Sequence, residues 1–133
     1  MVPQLVNFPD SQFHKNTNYI GDDGLIHNCY VGIQTKATLI KAKEELQKIT
    51  GKLRKEGKPV HVLTNIVRLG KLNVEARMFA VEFIKEVDFD KVAIFGNHMI
   101  AEPLVNMIII ASGRGYKMKY FISEEDARSW LSY

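Results

Sequence analysis

A short apolar run near residue 92 limits the fold of this 133-residue chain more than any other feature. The run Val92-Ala-Ile-Phe95 is apolar at every position and is too short for a helix. Because a strand points its side chains alternately to two faces, an unbroken apolar run predicts a strand that is covered on both faces. Such strands occur in parallel sheets with helices packed against them, which indicates the α/β class.

Strand-like and helix-like segments alternate around this run. The turn signal Gly21-Asp-Asp-Gly24 predicts a hairpin between strands near residues 13–20 and 25–33. Apolar residues at three- and four-residue spacing then predict a helix that is capped by Thr35 or Thr38 and ends at Gly57 and Pro59. The predicted order is β-β-α-β-α-β-α-β-α, a single domain with a mixed sheet and about four helices. It is expected to span residues 12–133, after an irregular arm at residues 1–11.

The later helices carry their own start and stop signals. Asn73 is the expected N-cap of the second helix, and Gly70 is expected to open the loop before it. The apolar positions of that helix are Val74, Met78 and Val81, with Phe79, Phe83 and Val87. The third helix is predicted over about residues 98–112, followed by a strand at residues 116–122. Residues 123–126 form a Ser-x-x-Asp capping signal for a final short helix.

Composition excludes several classes of protein. No stretch approaches the roughly 18 consecutive apolar residues that cross a bilayer. The N-terminus lacks the basic start and apolar core of a signal peptide. Cys29 is the one cysteine, so an internal disulfide is excluded, and the expected location is the reducing cytoplasm.

Basic residues cluster in the first predicted helix. Residues 36–58 hold eight lysines and arginines against three glutamates, a charge of +5 within a total of +3. A basic helix can attract nucleic acid or anionic lipid. These charges fall mostly on the outer face, and no aromatic residues are interleaved with them, which favours a solvated surface. Nucleic acid is therefore not an expected partner.

Patterns typical of catalysis or metal binding are absent from the sequence. It contains no Gly-x-Gly-x-x-Gly or Walker loop and no Gly-x-Ser-x-Gly elbow. His14, His27 and His61 have no second histidine or cysteine at metal-ligand spacing. The sequence predicts no metal, no cofactor and no catalytic residue, and an enzyme is the third alternative.

Polar residues follow two predicted strands at the point where each strand ends. In open α/β sheets, ligands bind beyond the carboxyl ends of the strands. Gly96 permits a sharp turn there, and the helix that follows presents free N–H groups to an anion. The sequence predicts a crevice for a small polar or anionic ligand at Asn65, Gly96, Asn97 and His98. The alternative is that Asn97 only caps the helix and His98 lies at the surface.

The third predicted helix is apolar around most of its circumference. Its apolar arc covers roughly 260°, whereas a helix on a sheet needs little more than about 100°. The excess must be covered by neighbouring helices, by a homodimer partner or by an apolar ligand. The residues expected in such a groove or dimer face are Met99, Ile100, Pro103, Leu104 and Met107.

Several segments of the second half of the chain match a known family. They are the strand Lys91–Gly96, the apolar third helix, the strand Tyr116–Phe121 and the ending Phe121-Ile-Ser-Glu-Glu-Asp-Ala-Arg-Ser-Trp-Leu131. In these segments the chain resembles the SpoIIAA-like proteins of the wider STAS group, which are related in structure to CRAL-TRIO lipid-transfer domains. The resemblance implies a STAS-type α/β domain over residues 12–133.

The resemblance also implies a function. It implies a non-enzymatic regulatory domain that binds a protein partner or a small ligand. Anti-sigma antagonists are switched by phosphorylation of a serine after the central strand, but residues 64–75 contain no serine, and Thr64 lies too early. We therefore expect no such switch. The alternative is a carrier or sensor of an apolar, lipid-like ligand in a groove beside the third helix.

Overall fold

The structure, a computed structural model, describes residues 14–96 and 101–132. Its strands are β1 His14–Ile20, β2 Ile26–Gln34, β3 His61–Asn65, β4 Leu69–Leu72, β5 Lys91–Phe95 and β6 Met118–Phe121. Its helices are α1 Lys36–Lys55, α2 Val74–Glu86, α3 Ala101–Ser112 and α4 Glu124–Leu131, with a 3-10 turn at Gly115–Lys117. The predicted arm at residues 1–11 lies outside the described residues.

One mixed sheet contains the six strands of the described part of the chain. β1 and β2 form the antiparallel hairpin that was predicted around Gly21 and Gly24. From β2 the sheet continues through β3, β5 and β6, and each of these pairs is parallel. The predicted α/β fold, with a hairpin followed by alternating strands and helices, is therefore confirmed.

β4 is a strand that was not predicted. β2 is nine residues long, and β3 pairs only with its first half, Ile26 to Cys29. The second half, at Gly32 and Gln34, pairs in parallel with β4. Gly70, which was expected to open a loop, therefore lies inside a strand.

The helices cover the two faces of the sheet unequally. The side chains of α1, α2 and α3 form a large core with one face of the sheet, and we call this face of the sheet the three-helix face. α4 packs on the opposite face, over Leu63, Ala93 and Phe95. Alternate residues of β5 enter the two cores, since Val92 and Ile94 lie on the three-helix face. β5 is thus apolar on both faces because both faces are buried, as predicted.

The helix ends follow the predicted signals. The side chains of Thr35, Asn73 and Ser123 accept hydrogen bonds from first-turn backbone N–H groups of α1, α2 and α4. Gly57 and Gly113 follow α1 and α3 with φ angles of 71° and 73°, a conformation that favours glycine. Within the described residues, no helix combines the length and the apolar character needed to cross a membrane.

Candidate functional site

The carboxyl ends of β3 and β5 lie side by side, as the predicted crevice requires. Asn65 is paired with Phe95 in the parallel register, so Asn65 and Gly96 are brought to the same edge of the sheet. Asn97 and His98, the other two residues of the predicted crevice, lie outside the described residues. The crevice therefore stays a prediction.

The two described residues of this edge have structural roles of their own. Asn65 Oδ1 accepts a hydrogen bond of 2.9 Å from the backbone N–H of Val67, which closes the turn after β3. Gly96 is buried, and a Cβ placed on it would lie 2.8 Å from the hydroxyl oxygen of Tyr120 and 3.2 Å from Cγ1 of Ile66. Glycine is required there because neighbouring side chains pack directly against its backbone.

A cavity in the core was not predicted as a site. It lies between the three-helix face of the sheet and helices α1, α2 and α3, and its volume is about 140 Å³. Phe83 and Ile84 of α2 and Ile108 and Ile109 of α3 form part of its wall. All but four of the described residues that line it are apolar.

The four polar residues that line the cavity all come from β2 and β3. They are Asn28, Tyr30, Gln34 and Thr64. Gln34 is 1% exposed, and both ends of its amide are engaged by the neighbouring protein. We call the other three residues, Asn28, Tyr30 and Thr64, the polar wall.

A chain of hydrogen bonds runs away from the polar wall. Asn28 and Thr64 are opposite each other in the β2–β3 register, and Thr64 Oγ1 donates to Asn28 Oδ1 at 3.1 Å. Asn28 Nδ2 donates to Asn18 Oδ1 at 2.6 Å, and Asn18 Nδ2 donates to Glu45 Oε1 at 3.4 Å. Each donor points toward Glu45, so the carboxylate of α1 fixes the direction of the chain.

The cavity is electrically neutral. None of the described residues that line it is an acid, a lysine, an arginine or a histidine. Burial raises the pKa of the Tyr30 phenol to about 12, against a smaller opposing effect of a hydrogen bond with the Asn28 side chain. Tyr30 therefore keeps its proton at neutral pH. A charged ligand would lose its hydration in this cavity without gaining an ionic partner.

Some apolar side chains of α3 line the cavity, and others are exposed to solvent. Val105, Ile108 and Ile109 are buried and line the cavity. On the outer side, Met107 is 52% exposed and Ile110 is 78% exposed. The sheet and α2 therefore cover only part of the apolar arc that the sequence shows for this helix.

The groove residues predicted on α3 lie beside the cavity lining. Pro103 and Met107 are exposed, Leu104 is half-buried, and none of the three lines the cavity. Met99 and Ile100 lie outside the described residues. The predicted groove or dimer face is thus an outer surface of α3 as far as the structure describes it.

Potential metal ligands are not gathered in the described structure. Within residues 14–96 and 101–132, no three histidine, cysteine, aspartate or glutamate side chains are placed to hold a metal ion. Cys29 is half-buried, and burial raises the pKa of its thiol, which keeps it in the less reactive protonated form.

Comparison with known proteins finds relatives by sequence and by fold. A family model described as SpoIIAA-like matches residues 29–132, and no curated protein matches the chain. Four chains of known structure match. One is the crystal structure of an uncharacterized protein of the DUF3478 family with a SpoIIAA-like fold, from Shewanella loihica PV-4. It is 22% identical, with 91% of this chain and 97% of that chain covered and a TM-score of 0.64, a likeness that shows the fold.

Proposed function

The chain belongs to the SpoIIAA-like family, and we propose from its structure that it is a non-enzymatic binding domain for a small apolar molecule, held in the cavity beside α3. The cavity is the observation that carries this proposal. A concave, mostly apolar lining with a few polar groups is typical of sites that bind small molecules. An apolar ligand in this space would exchange contact with water for contact with the apolar side chains, which is favourable.

The volume of the cavity limits the size of the ligand. An engineered apolar cavity of about 150 Å³ in another protein binds benzene or xenon. A cavity of 140 Å³ has similar capacity, so a single ring or a short branched chain fits it and a long acyl chain does not. The proposed ligand is therefore smaller than the lipid-like molecule suggested by the resemblance to lipid-transfer domains.

Substitution of Ile109 by tryptophan tests the site. Ile109 is 6% exposed and lines the cavity, so the larger indole should fill the space. We expect wild-type protein to bind benzene, seen as shifts of cavity methyl signals in NMR spectra, and Ile109→Trp to bind it at least about tenfold more weakly.

Ile110→Trp is the matched control, because Ile110 is on the same helix and does not line the cavity. It should bind benzene as the wild type does. The proposal fails if wild-type protein shows no cavity shifts with benzene or xenon, or if a folded Ile109→Trp binds benzene unchanged.

A phosphorylation switch is not part of the proposed mechanism. Thr64 is the hydroxyl residue nearest to the position of the switch serine in related antagonists. It is 7% exposed, and its hydroxyl donates to Asn28 within the core. A kinase would have to unfold the sheet locally to reach it.

A second candidate function is self-association through the outer side of α3. Pro103, Met107 and Ile110 are exposed and are spaced by four and three residues, so they form one apolar stripe. A two-fold dimer would bury this stripe against its own copy. We expect light scattering to show twice the mass of one chain at micromolar concentration, and Ile110→Glu to return it to one chain. A wild-type monomer at all concentrations contradicts the dimer and leaves the cavity proposal intact.

A further inference from the structure

The direction of the hydrogen-bond chain determines what the polar wall offers to a ligand. Thr64 has one hydroxyl hydrogen, and that hydrogen is used in the bond to Asn28. The next two donors in the chain, on Asn28 and Asn18, point the same way, toward Glu45. If the Thr64 hydroxyl rotated to donate to a ligand, its hydrogen bond to Asn28 Oδ1 would be lost. At Thr64 the free lone pairs of Oγ1 are what the wall offers, so a ligand group bound there must supply the hydrogen. Tyr30 keeps its own proton, and a ligand hydroxyl that donates to Thr64 still has lone pairs with which to accept from it.

The charge of the ligand follows from the lining. An ammonium group could also donate to Thr64, but the described residues of the lining include no carboxylate to balance its charge. A carboxylate has no hydrogen to donate when ionised, and none of the lining residues that the structure describes is a cation that could receive it. A neutral hydroxyl group donates a hydrogen and carries no charge.

We propose that the ligand is a neutral molecule about the size of one ring that carries a single hydroxyl group, which donates to Thr64 Oγ1. This inference rests on the proposed function and adds the polar group that the cavity selects. The apolar walls formed by α2, α3 and β5 hold the body of the ligand, and the polar wall of β2 and β3 sets its orientation. A small phenol or a branched alcohol has this combination of groups.

Three probes that share a methyl-substituted ring test the inference. They are 4-methylphenol, toluene, which lacks the hydroxyl, and 4-methylbenzoate, which is charged at neutral pH. With wild-type protein, NMR titration of the cavity methyl groups should show 4-methylphenol binding about tenfold or more tightly than toluene, and no cavity binding of 4-methylbenzoate.

Variants of Thr64 test whether Thr64 Oγ1 causes the preference for 4-methylphenol over toluene. Thr64→Val keeps the shape and removes the oxygen, so 4-methylphenol should lose its advantage over toluene. Thr64→Ser keeps the hydroxyl and should keep the preference. Thr50→Val is the matched control, because Thr50 is buried in α1, donates to the Gln47 carbonyl and does not line the cavity. It should preserve the preference whatever it does to stability.

The outcomes separate this inference from the proposed function. Binding of neither toluene nor 4-methylphenol in the cavity overturns the proposed function itself. Equal binding of the two, or tighter binding of 4-methylbenzoate, leaves a binding cavity but overturns the hydroxyl inference. If Thr64→Val does not fold, the wild-type preference and its retention in Thr64→Ser still decide the result, since a Thr64→Ser protein without the preference contradicts the inference.

Discussion

Replacement of Gly70 by alanine is expected to lower the free energy of unfolding by about 2–3 kcal/mol. A Cβ on Gly70 would lie 2.8 Å from the carbonyl carbon of Gly32 and 2.9 Å from the backbone nitrogen of Ile33. Both atoms belong to the backbone of β2, so relief requires a strand to move and a side-chain rotation cannot provide it. Gly32 has a φ of 84°, which restricts the same segment of β2 to a conformation that favours glycine. Urea denaturation measures the loss.

A second glycine provides the matched control for this substitution. Gly51 lies inside α1, is exposed, and would meet no heavy atom within 4 Å if it carried a Cβ. Gly51→Ala is therefore expected to stabilise the protein by about 0.5–1 kcal/mol, since alanine favours the helix. A Gly70→Ala protein as stable as the wild type would show that β4 does not approach β2 this closely.

Replacement of Gln34 by methionine is expected to destabilise the protein by about 3 kcal/mol. Gln34 Oε1 accepts hydrogen bonds of 2.9 Å from Asn16 Nδ2 in β1 and from Thr38 Oγ1 in α1. Gln34 Nε2 donates to Asn16 Oδ1 at 3.0 Å and to the carbonyls of Val31 and Gly32 at 3.3 Å. Methionine has a similar shape but leaves these part-buried groups without their partner, which costs more than a lost bond alone.

Gln47→Met is the control for this change, because Gln47 lies on the exposed side of α1. It should alter the free energy of unfolding by less than about 0.5 kcal/mol. Thermal and urea unfolding of both variants provide the comparison. A loss below about 1 kcal/mol for Gln34→Met would mean that the amide does not hold β1, β2 and α1 together.

Local signals predicted most of the fold. The caps at Thr35, Asn73 and Ser123 act within a few residues of themselves, so the sequence around each one contains the whole interaction. β5 was recognised because its burial on both faces makes every position apolar. β4 was missed because Leu69-Gly-Lys-Leu72 has no strand pattern of its own. It is a strand because β2 extends past the end of β3 and offers it free backbone groups.

The predicted apolar positions of α2 do not all face inward. Phe83 and Val87 are buried, whereas Val74 and Met78 are 68% and 67% exposed. Ala76, which is also buried, was not among the predicted positions. All of these residues fit helical spacing, so periodicity alone does not choose the inward side. In the structure the buried side carries an alanine, which allows close approach to the core, and a phenylalanine, which buries the larger area.

The polar wall could not be predicted because it depends on strand register. Asn28 and Thr64 are 36 residues apart and meet only when β2 and β3 pair in one register. The available signal was a polar residue on the apolar side of a strand, since Asn28 stands between Ile26 and Tyr30 on the three-helix face. A buried polar residue in such a position needs a partner, and in this fold the partner comes from the neighbouring strand.

The position of α4 in the chain also affects how the protein is made. α4 covers Leu63, Ala93 and Phe95, and it is the last described helix to be synthesised. Until α4 has been made and docks, the apolar face of the sheet that it covers is exposed on any part of the sheet that has already formed. Such a face is a binding surface for holding chaperones and for other nascent chains.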